Sequence, residues 1–284
     1  MIDDLGRLAD SCLLPAFDGV DAPQWLLDRL GAGLGGVTLF ARNVESREQV
    51  ARLSAQLRAA SRGVLIAIDE EGGDVTRLDV ATGSSYPGNL ALGAIDDVEV
   101  TRAVAAAIGA ELRAVGVNLN FAPVADVNSN PDNPVIGVRS FGPDAALVAR
   151  HTAAYVDGLQ SAGVAACTKH FPGHGDTADD SHHGLPTVSD SAAALELALA
   201  PFRSAIAAGT RAIMTAHIVV PQFGPDPATL NRRILTDLLR GELGFDGLVV
   251  SDALDMGAIR HGVGDVEGAV RAIAAGADAL CLSG

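Results

Sequence analysis

Eight short apolar runs alternate along the chain with longer segments rich in Ala, Leu and Arg, and this alternation restricts the possible folds. The runs lie at residues 11–15, 36–40, 65–69, 118–122, 165–170, 212–217, 248–252 and 279–283. Apolar runs separated by segments of helical period predict parallel strands joined by crossover helices. Eight such units favour an α/β fold of the (β/α)8 TIM-barrel type over an open doubly wound sheet.

The segments between these runs predict the helices of the barrel. They lie at residues 47–60, 98–115, 144–162, 192–208, 231–240 and 266–275, and Gly follows several of them, as helix ends prefer. No linker rich in Pro or Ser divides the chain, so a single domain over residues 1–284 is expected. The sequence stops directly after the eighth predicted strand, and the barrel's final helix is therefore expected to be absent or to lie outside this chain.

The charge balance excludes two classes of partner. Against 20 basic residues stand 35 acidic ones, and the resulting net charge of -15 repels nucleic acid and anionic lipid. No apolar run approaches transmembrane length, so no membrane partner is expected. Cys12, Cys167 and Cys281 lie far apart and suggest buried thiols in a reducing compartment. We expect a cytoplasmic monomer.

Polar residues gather where the predicted strands end. Asp69 ends the third run, Lys169 and His170 the fifth, His217 the sixth and Asp252 the seventh. The carboxyl ends of barrel strands form the face that carries active sites. Asp252 is the first candidate, because the apolar run before it ends abruptly in a carboxylate that would face a pocket. The alternative is an aspartate that only caps the next turn.

The segment 169–186 holds four histidines, three aspartates and a lysine in eighteen residues, and its glycines and prolines exclude regular structure. Within it, Asp180 and His182 are two residues apart, so in an extended conformation their side chains point the same way. The carboxylate would raise the pKa of the imidazole and let it donate a proton near neutrality. The alternative is a solvated polar loop.

The spacing from His170 to His174 raises the question of a metal site. The helical geometry that places two such histidines on one metal cannot form across Pro172 and Gly173. We therefore expect no metal and no cofactor, although a flexible histidine-rich loop can bind zinc. Lys169 suits recognition of hydroxyl or carboxylate groups, and a Schiff-base lysine is its competing role.

Two further segments carry candidate binding residues. Asp69 follows a buried run and is suited to paired sugar hydroxyls, with Arg77 close behind it. The glycine pair after Glu71 resembles a phosphate cradle only weakly, because adjacent acids would repel an anion. Arg139 stands on the long loop after the fourth run, where an arginine more often has a structural role.

These residues resemble glycoside hydrolase family 3, in its β-N-acetylglucosaminidase branch. The resemblance rests on KHFPGHGDT at 169–177 with Asp180-Ser181-His182, on Asp69-x-Glu71-Gly72-Gly73, on Gly137-x-Arg139-Ser140-Phe141, and on LLRGELGFDG at 238–247 leading into Ser251-Asp252. The matches run from the third predicted strand to the seventh, so they cover most of the chain.

The resemblance implies a role for each candidate. Asp252 would be the nucleophile that forms a glycosyl-enzyme intermediate, His182 the acid/base and Asp180 its partner. The sugar-binding residues would be Asp69, Arg77, Arg139, Lys169 and His170, with His217 lining the same pocket. The implied activity is that of a retaining exo-β-N-acetylglucosaminidase acting on N-acetylglucosamine-containing muropeptides. A phosphorylase using the same intermediate, another family 3 β-glycosidase and an inactive sugar-binding barrel are the alternatives.

Overall fold

The computed structural model describes residues 4–177, 184–188 and 191–284. All eight predicted strands are present within them, and all but β5 are shorter than their apolar runs. They are β1 Leu13–Pro15, β2 Gly36–Leu39, β3 Leu65–Ile68, β4 Leu119–Asn120, β5 Ala165–Phe171, β6 Ala212–Thr215, β7 Leu248–Val250 and β8 Leu280–Leu282.

Helices connect these strands, and the six predicted ones are confirmed to within two residues at either end. The helices are α1 Asp4–Ser11, α2 Gln24–Ala32, α3 Arg47–Ala60, α4 Asn89–Ile95, α5 Val98–Ala114, α6 Ala145–Ser161, α7 Ala192–Ala207, a π-helix at Arg233–Glu242, α8 Gly257–Arg260 and α9 Asp265–Ala275. The sequence did not predict α1, α2, α4 and α8, which are too short to show a sustained helical period. No helix in the described part of the chain is long and apolar enough to span a bilayer.

The strands form a curled parallel sheet. Strands β2 to β7 pair in chain order as one six-stranded sheet, and β1 pairs with β8. A single parallel bridge between Val250 and Ala279 links β7 to β8. The Thr38 hydroxyl of β2 donates to the Leu14 carbonyl of β1 at 3.4 Å. The predicted α/β fold with parallel strands is confirmed, whereas a fully closed eight-stranded barrel stays a prediction.

An apolar layer fills the inside of the curl. It includes Leu14 of β1, Ala67 of β3, Cys167 of β5, Val250 of β7 and Cys281 of β8, each less than 5% exposed. The residues between them point outward onto the surrounding helices, which buries both sides of each strand. Because apolar side chains fill the space inside the curled sheet, the polar side chains lie above this layer, at the carboxyl ends of the strands.

Candidate active site

A pocket of about 320 Å³ opens at the carboxyl ends of the strands, within the size range of small-ligand sites. Six predicted site residues line it: Asp69, Arg77, Arg139, Lys169, His170 and Asp252. They come from β5 and from the segments that follow β3, β4 and β7. Apolar groups such as Phe40, Phe121 and Met214 line the remaining wall. The structure therefore brings together residues up to 183 positions apart in the sequence.

Lys169 lies at the centre of a charged network. Its Nζ donates to Asp69 Oδ1 at 2.8 Å and to Glu71 Oε1 at 2.6 Å. Burial alone would lower the pKa of Lys169, but the two carboxylates raise it above its ordinary value. Lys169 is therefore held as an ammonium ion and can donate hydrogen bonds.

Arg139 extends this network through a bidentate ion pair with Glu71. Its Nε and Nη2 donate to the two carboxylate oxygens at 3.0 and 2.8 Å. Burial alone would raise the pKa of Glu71, but Arg139 and Lys169 hold it well below its ordinary range. An ionised carboxylate therefore lies in the wall of the pocket with a cation on each side.

His170 is oriented by a buried carboxylate behind it. Its Nδ1 lies 2.7 Å from Asp126 Oδ2, and its Nε2 lies 3.4 Å from Arg139 Nη2. The other oxygen of Asp126 accepts from the backbone N–H of His174 at 2.7 Å. Since a carboxylate only accepts, Nδ1 of His170 carries a proton and the ring orientation is fixed.

Arg77 offers an unused hydrogen-bond donor. Its Nη2 donates to Asp69 Oδ2 at 3.4 Å, while its buried Nε finds no partner among the described residues. An unpartnered buried donor is costly, and a ligand oxygen in the pocket would satisfy it.

Asp252 stands at the end of β7, separate from this network. Its Oδ1 accepts from the N–H of Ala253 at 2.8 Å. Burial alone would raise the pKa of Asp252, but the nearby His217 and His170 rings lower it below its ordinary value. At neutral pH this side chain is therefore an ionised carboxylate that faces the pocket, as a nucleophile requires.

His217 follows β6, as predicted, but it does not line the pocket formed by the described residues. The ring is fully buried and is not among the residues that line the pocket. Its Nε2 lies 2.9 Å from the Ala253 carbonyl oxygen, and its Nδ1 lies 2.8 Å from Thr229 Oγ1. The prediction that it lines the sugar pocket is therefore not supported by its placement, because the ring packs behind the wall that carries Asp252.

Asp180 and His182 lie outside the described residues, whereas the residues up to Thr177 and those from Gly184 to Val188 are described. On the first flank, Asn133 Nδ2 donates to the His174 carbonyl at 2.9 Å and lies 3.2 Å from Thr177 Oγ1. On the second, the N–H of Val188 donates to the Val219 carbonyl at 3.1 Å, just beyond β6. On the first flank, His174 itself lines the pocket.

Within the described residues, no group of three or more His, Cys, Asp or Glu side chains is arranged to hold a metal ion. The rings of His170 and His174 are 6.1 Å apart and nearly perpendicular. Each has its Nδ1 close to a protein oxygen, from Asp126 and Thr177 respectively.

The model of the glycosyl hydrolase family 3 N-terminal domain matches residues 21–283. The chain belongs to this family. Among curated family members, β-hexosaminidase A of Pseudoalteromonas piscicida is 42% identical over 269 residues, which cover 86% of this chain and 45% of that protein.

Solved structures show the same relationship for this family 3 chain. The family 3 β-N-acetylglucosaminidase of Paenibacillus sp. str. FPU-7 superposes with a TM-score of 0.94 at 49% identity, covering 98% of this chain and 54% of that one. NagZ from Neisseria gonorrhoeae in complex with N-trifluoroacetyl-D-glucosamine gives a TM-score of 0.87 at 34% identity, covering 96% and 81%. The chain spans about half the length of the Pseudoalteromonas and Paenibacillus proteins.

Two acids of this family 3 site were not predicted as site residues. Glu71 belongs to one of the family motifs without a predicted role of its own, and no role is predicted for Asp126. Asp126 follows the apolar segment 121–125, so it carries the same signal as Asp69 and Asp252, a carboxylate directly after an apolar run. That signal could have identified it, although its partner His170 is 44 residues away in the sequence.

Proposed function

We propose that this chain is the catalytic domain of a retaining exo-β-N-acetylglucosaminidase. The observation that carries the proposal is the single pocket in which the ionised Asp252 faces the network of Lys169, Arg77 and His170. Charged donors and acceptors packed beside an apolar wall suit a sugar ring with several hydroxyl groups. The names of the relatives, β-hexosaminidase and β-N-acetylglucosaminidase, support this substrate class.

In the proposed mechanism, the network around Lys169 holds the sugar hydroxyls and orients the ring, and the free Nε of Arg77 donates to one of its oxygens. An Asp252 oxygen attacks the anomeric carbon while the glycosidic C–O bond breaks, and His182 gives its proton to the leaving oxygen. His182 then takes a proton from water, which attacks the anomeric carbon and releases Asp252. Asp180 holds the His182 imidazole in the required orientation.

The finer parts of the proposal concern substrate and setting. We propose muropeptides as the source of the terminal β-linked N-acetylglucosamine, a cytoplasmic location and a monomeric enzyme. The glucosamine derivative bound to the Neisseria NagZ supports the sugar. We also propose that β1 closes against β2, which completes an eight-stranded barrel around the apolar layer.

Trapping the covalent intermediate tests the nucleophile. The protein is incubated with a fluorinated N-acetylglucosamine analogue, digested and mapped by mass spectrometry. We expect the label on Asp252, and Asp252→Ala should neither be labelled nor cleave an aryl N-acetylglucosaminide. Label on another residue, or turnover by the variant, would refute the assignment.

The acid/base role is tested by varying the leaving group. His182→Ala should lose most of its activity toward a substrate with a poor leaving group and much less toward one with a good leaving group, because only the former needs protonation. Equal losses would count against the role. Running both assays with added phosphate distinguishes hydrolysis from phosphorolysis, since a phosphorylase would release sugar 1-phosphate.

A further inference from the structure

His217 is a fully buried histidine that the proposed mechanism does not use. It follows β6, next to the strand that carries Asp252, and its ring lies behind the pocket wall. Hydrogen bonds join it to the peptide group of Ala253 on one side and to Thr229 on the other. This position connects it to the nucleophile through the backbone.

The contact with Ala253 has a defined direction. A carbonyl oxygen only accepts, so Nε2 of His217 carries a proton and donates it to the Ala253 carbonyl at 2.9 Å. Nδ1 lies 2.8 Å from the Thr229 hydroxyl oxygen. That hydroxyl also lies 3.0 Å from the Ala216 carbonyl, but its choice of acceptor leaves the direction of the Nε2 bond unchanged.

Ala253 binds Asp252 from the other end of the same residue. Its N–H donates to Asp252 Oδ1 at 2.8 Å while its carbonyl accepts from His217. Fixing the carbonyl of a residue restricts the rotation of its backbone, and thus the direction in which its N–H points. The orientation of the Asp252 carboxylate therefore depends on a bond made one residue away.

We infer that His217 is a positioning residue that orients Asp252 for attack by fixing the backbone of Ala253. This inference rests on the proposed role of Asp252 as nucleophile. The threonines beside the ring give it a rigid support, because Thr215 Oγ1 lies 2.7 Å from Thr229 Oγ1 and both side chains are fully buried. A displacement of about 1 Å in a reacting group can lower a rate about 100-fold.

Two amide variants separate the hydrogen bonds that the ring makes with Ala253 and with Thr229. His217→Gln places an amide N–H near the position of Nε2 and can still donate to the Ala253 carbonyl, whereas His217→Asn reaches only the position of Nδ1. We expect His217→Asn to lower kcat at least about tenfold with little change in the Kd of N-acetylglucosamine. The Gln variant should recover most of that loss. Thr229→Val, which leaves the Ala253 bond in place, should lower kcat less than His217→Asn does.

A matched histidine elsewhere controls for loss of stability. His151 is also fully buried, with Nδ1 2.8 Å from Thr101 Oγ1 and Nε2 3.1 Å from Asp96, but it lies between α5 and α6. His151→Asn should lower Tm to a degree similar to His217→Asn and leave kcat unchanged.

The rate of labelling by the fluorinated sugar gives a second readout of Asp252. His217→Asn should be labelled more slowly than the wild type but still on Asp252. If His217→Asn has the same kcat as the wild type, or if the Asn and Gln variants lose kcat equally, the inference is wrong. The assignment of Asp252 as nucleophile would be unaffected by either result. Wild-type protein that never labels Asp252 would instead refute the proposed function.

Discussion

Glu71 has a cation on each side, and its removal would leave Arg139 without this ion pair and Lys169 with Asp69 as its ion-pair partner. Its side chain is 2% exposed and pairs with Arg139 and Lys169. Breaking a buried ion pair costs about 3 to 5 kcal/mol. We therefore expect Glu71→Gln to lower the free energy of unfolding by about 3 kcal/mol, measured by urea denaturation. Activity should fall as well, since the network loses its orientation.

An exposed ion pair provides the comparison for this prediction. Glu196 pairs with Arg203 at 3.3 Å, and both side chains are about half exposed or more. Glu196→Gln should change the free energy of unfolding far less than Glu71→Gln, because solvent screens an exposed pair. Equal effects of the two substitutions would show that the Glu71 network is not a buried, coupled one.

The pH dependence of stability should have opposite signs at Glu70 and Glu71. Arg139 and Lys169 hold the pKa of Glu71 below its unfolded value, so its stabilisation is present at neutral pH and shrinks as the pH falls below about 4.3. Burial raises the pKa of Glu70, so its contribution is present below about pH 4.3 and shrinks as the pH rises through the raised pKa. Urea unfolding at several pH values measures both contributions.

The expected differences can be stated for each variant. The loss of stability in Glu71→Gln should be largest at neutral pH and smaller in acid. The difference between the wild type and Glu70→Gln should instead be larger in acid than at neutral pH. Parallel trends in the two variants would contradict the opposite shifts of the two neighbouring carboxyl groups.

At the scale of single residues, the sequence predicted the side chains that end strands. Lys169 and Asp252 could be identified because each follows an apolar run, so the strand itself determines where the side chain points. The burial of the His217 ring away from the pocket lining could not be seen in this way. Whether a side chain at a strand end faces the pocket or packs behind it depends on the neighbouring loop, here the one that carries Thr229.

At the scale of elements, the strands were easier to predict than the loops. Each parallel strand is buried on both sides and appears as a short apolar run, and the long helices show a clear period. The loop segment 133–142 has neither signal. Its conformation depends on contacts with distant residues, such as the Arg139 carbonyl that accepts from Asn89 at 2.7 Å.

The segment that ends at Thr177, shortly before His182, provides a test at this scale. The side-chain amide of Asn133 donates to the His174 carbonyl and to the Thr177 hydroxyl in this segment. Asn133→Ala should loosen that attachment and impair protonation of the leaving group. We expect kcat to fall more for a poor leaving group than for a good one, so the ratio of the two rates should shift in the direction expected for His182→Ala.

A second asparagine at the opposite end of the strands supplies the control. Asn118 bonds to the N–H of Ile66 and to the Val64 carbonyl at the start of β3, at 2.8 and 2.9 Å. Asn118→Ala should lower Tm without changing the leaving-group ratio. If both variants shift the ratio alike, the effect comes from general destabilisation and not from the loop.

At the scale of the whole molecule, the net charge of -15 surrounds a pocket whose own charges largely alternate. The charged side chains form a continuous row of ion pairs in space, from Arg77 to Asp69, then to Lys169, Glu71 and Arg139. Each of them contacts a group of opposite sign. Short-range contacts with a ligand in the pocket and the long-range electrostatic effect of the net charge are thus separate properties of this protein. The ligand proposed for the network is a neutral sugar, whereas the surface charge would act on any charged substituent that the sugar carries.

This separation predicts how salt affects different substrates. An acidic muropeptide is repelled during approach, and raising the ionic strength from about 0.01 M to about 0.1 M shortens the screening length from about 30 Å to about 10 Å. We expect kcat/KM for the acidic substrate to rise about threefold or more over this range. For a neutral aryl N-acetylglucosaminide it should stay nearly constant, and for an aglycone with an amine it should fall. A change of the same size and sign for all three substrates would mean that salt acts on the enzyme's conformation, because the electrostatic account requires the effect to follow the sign of the substrate's charge.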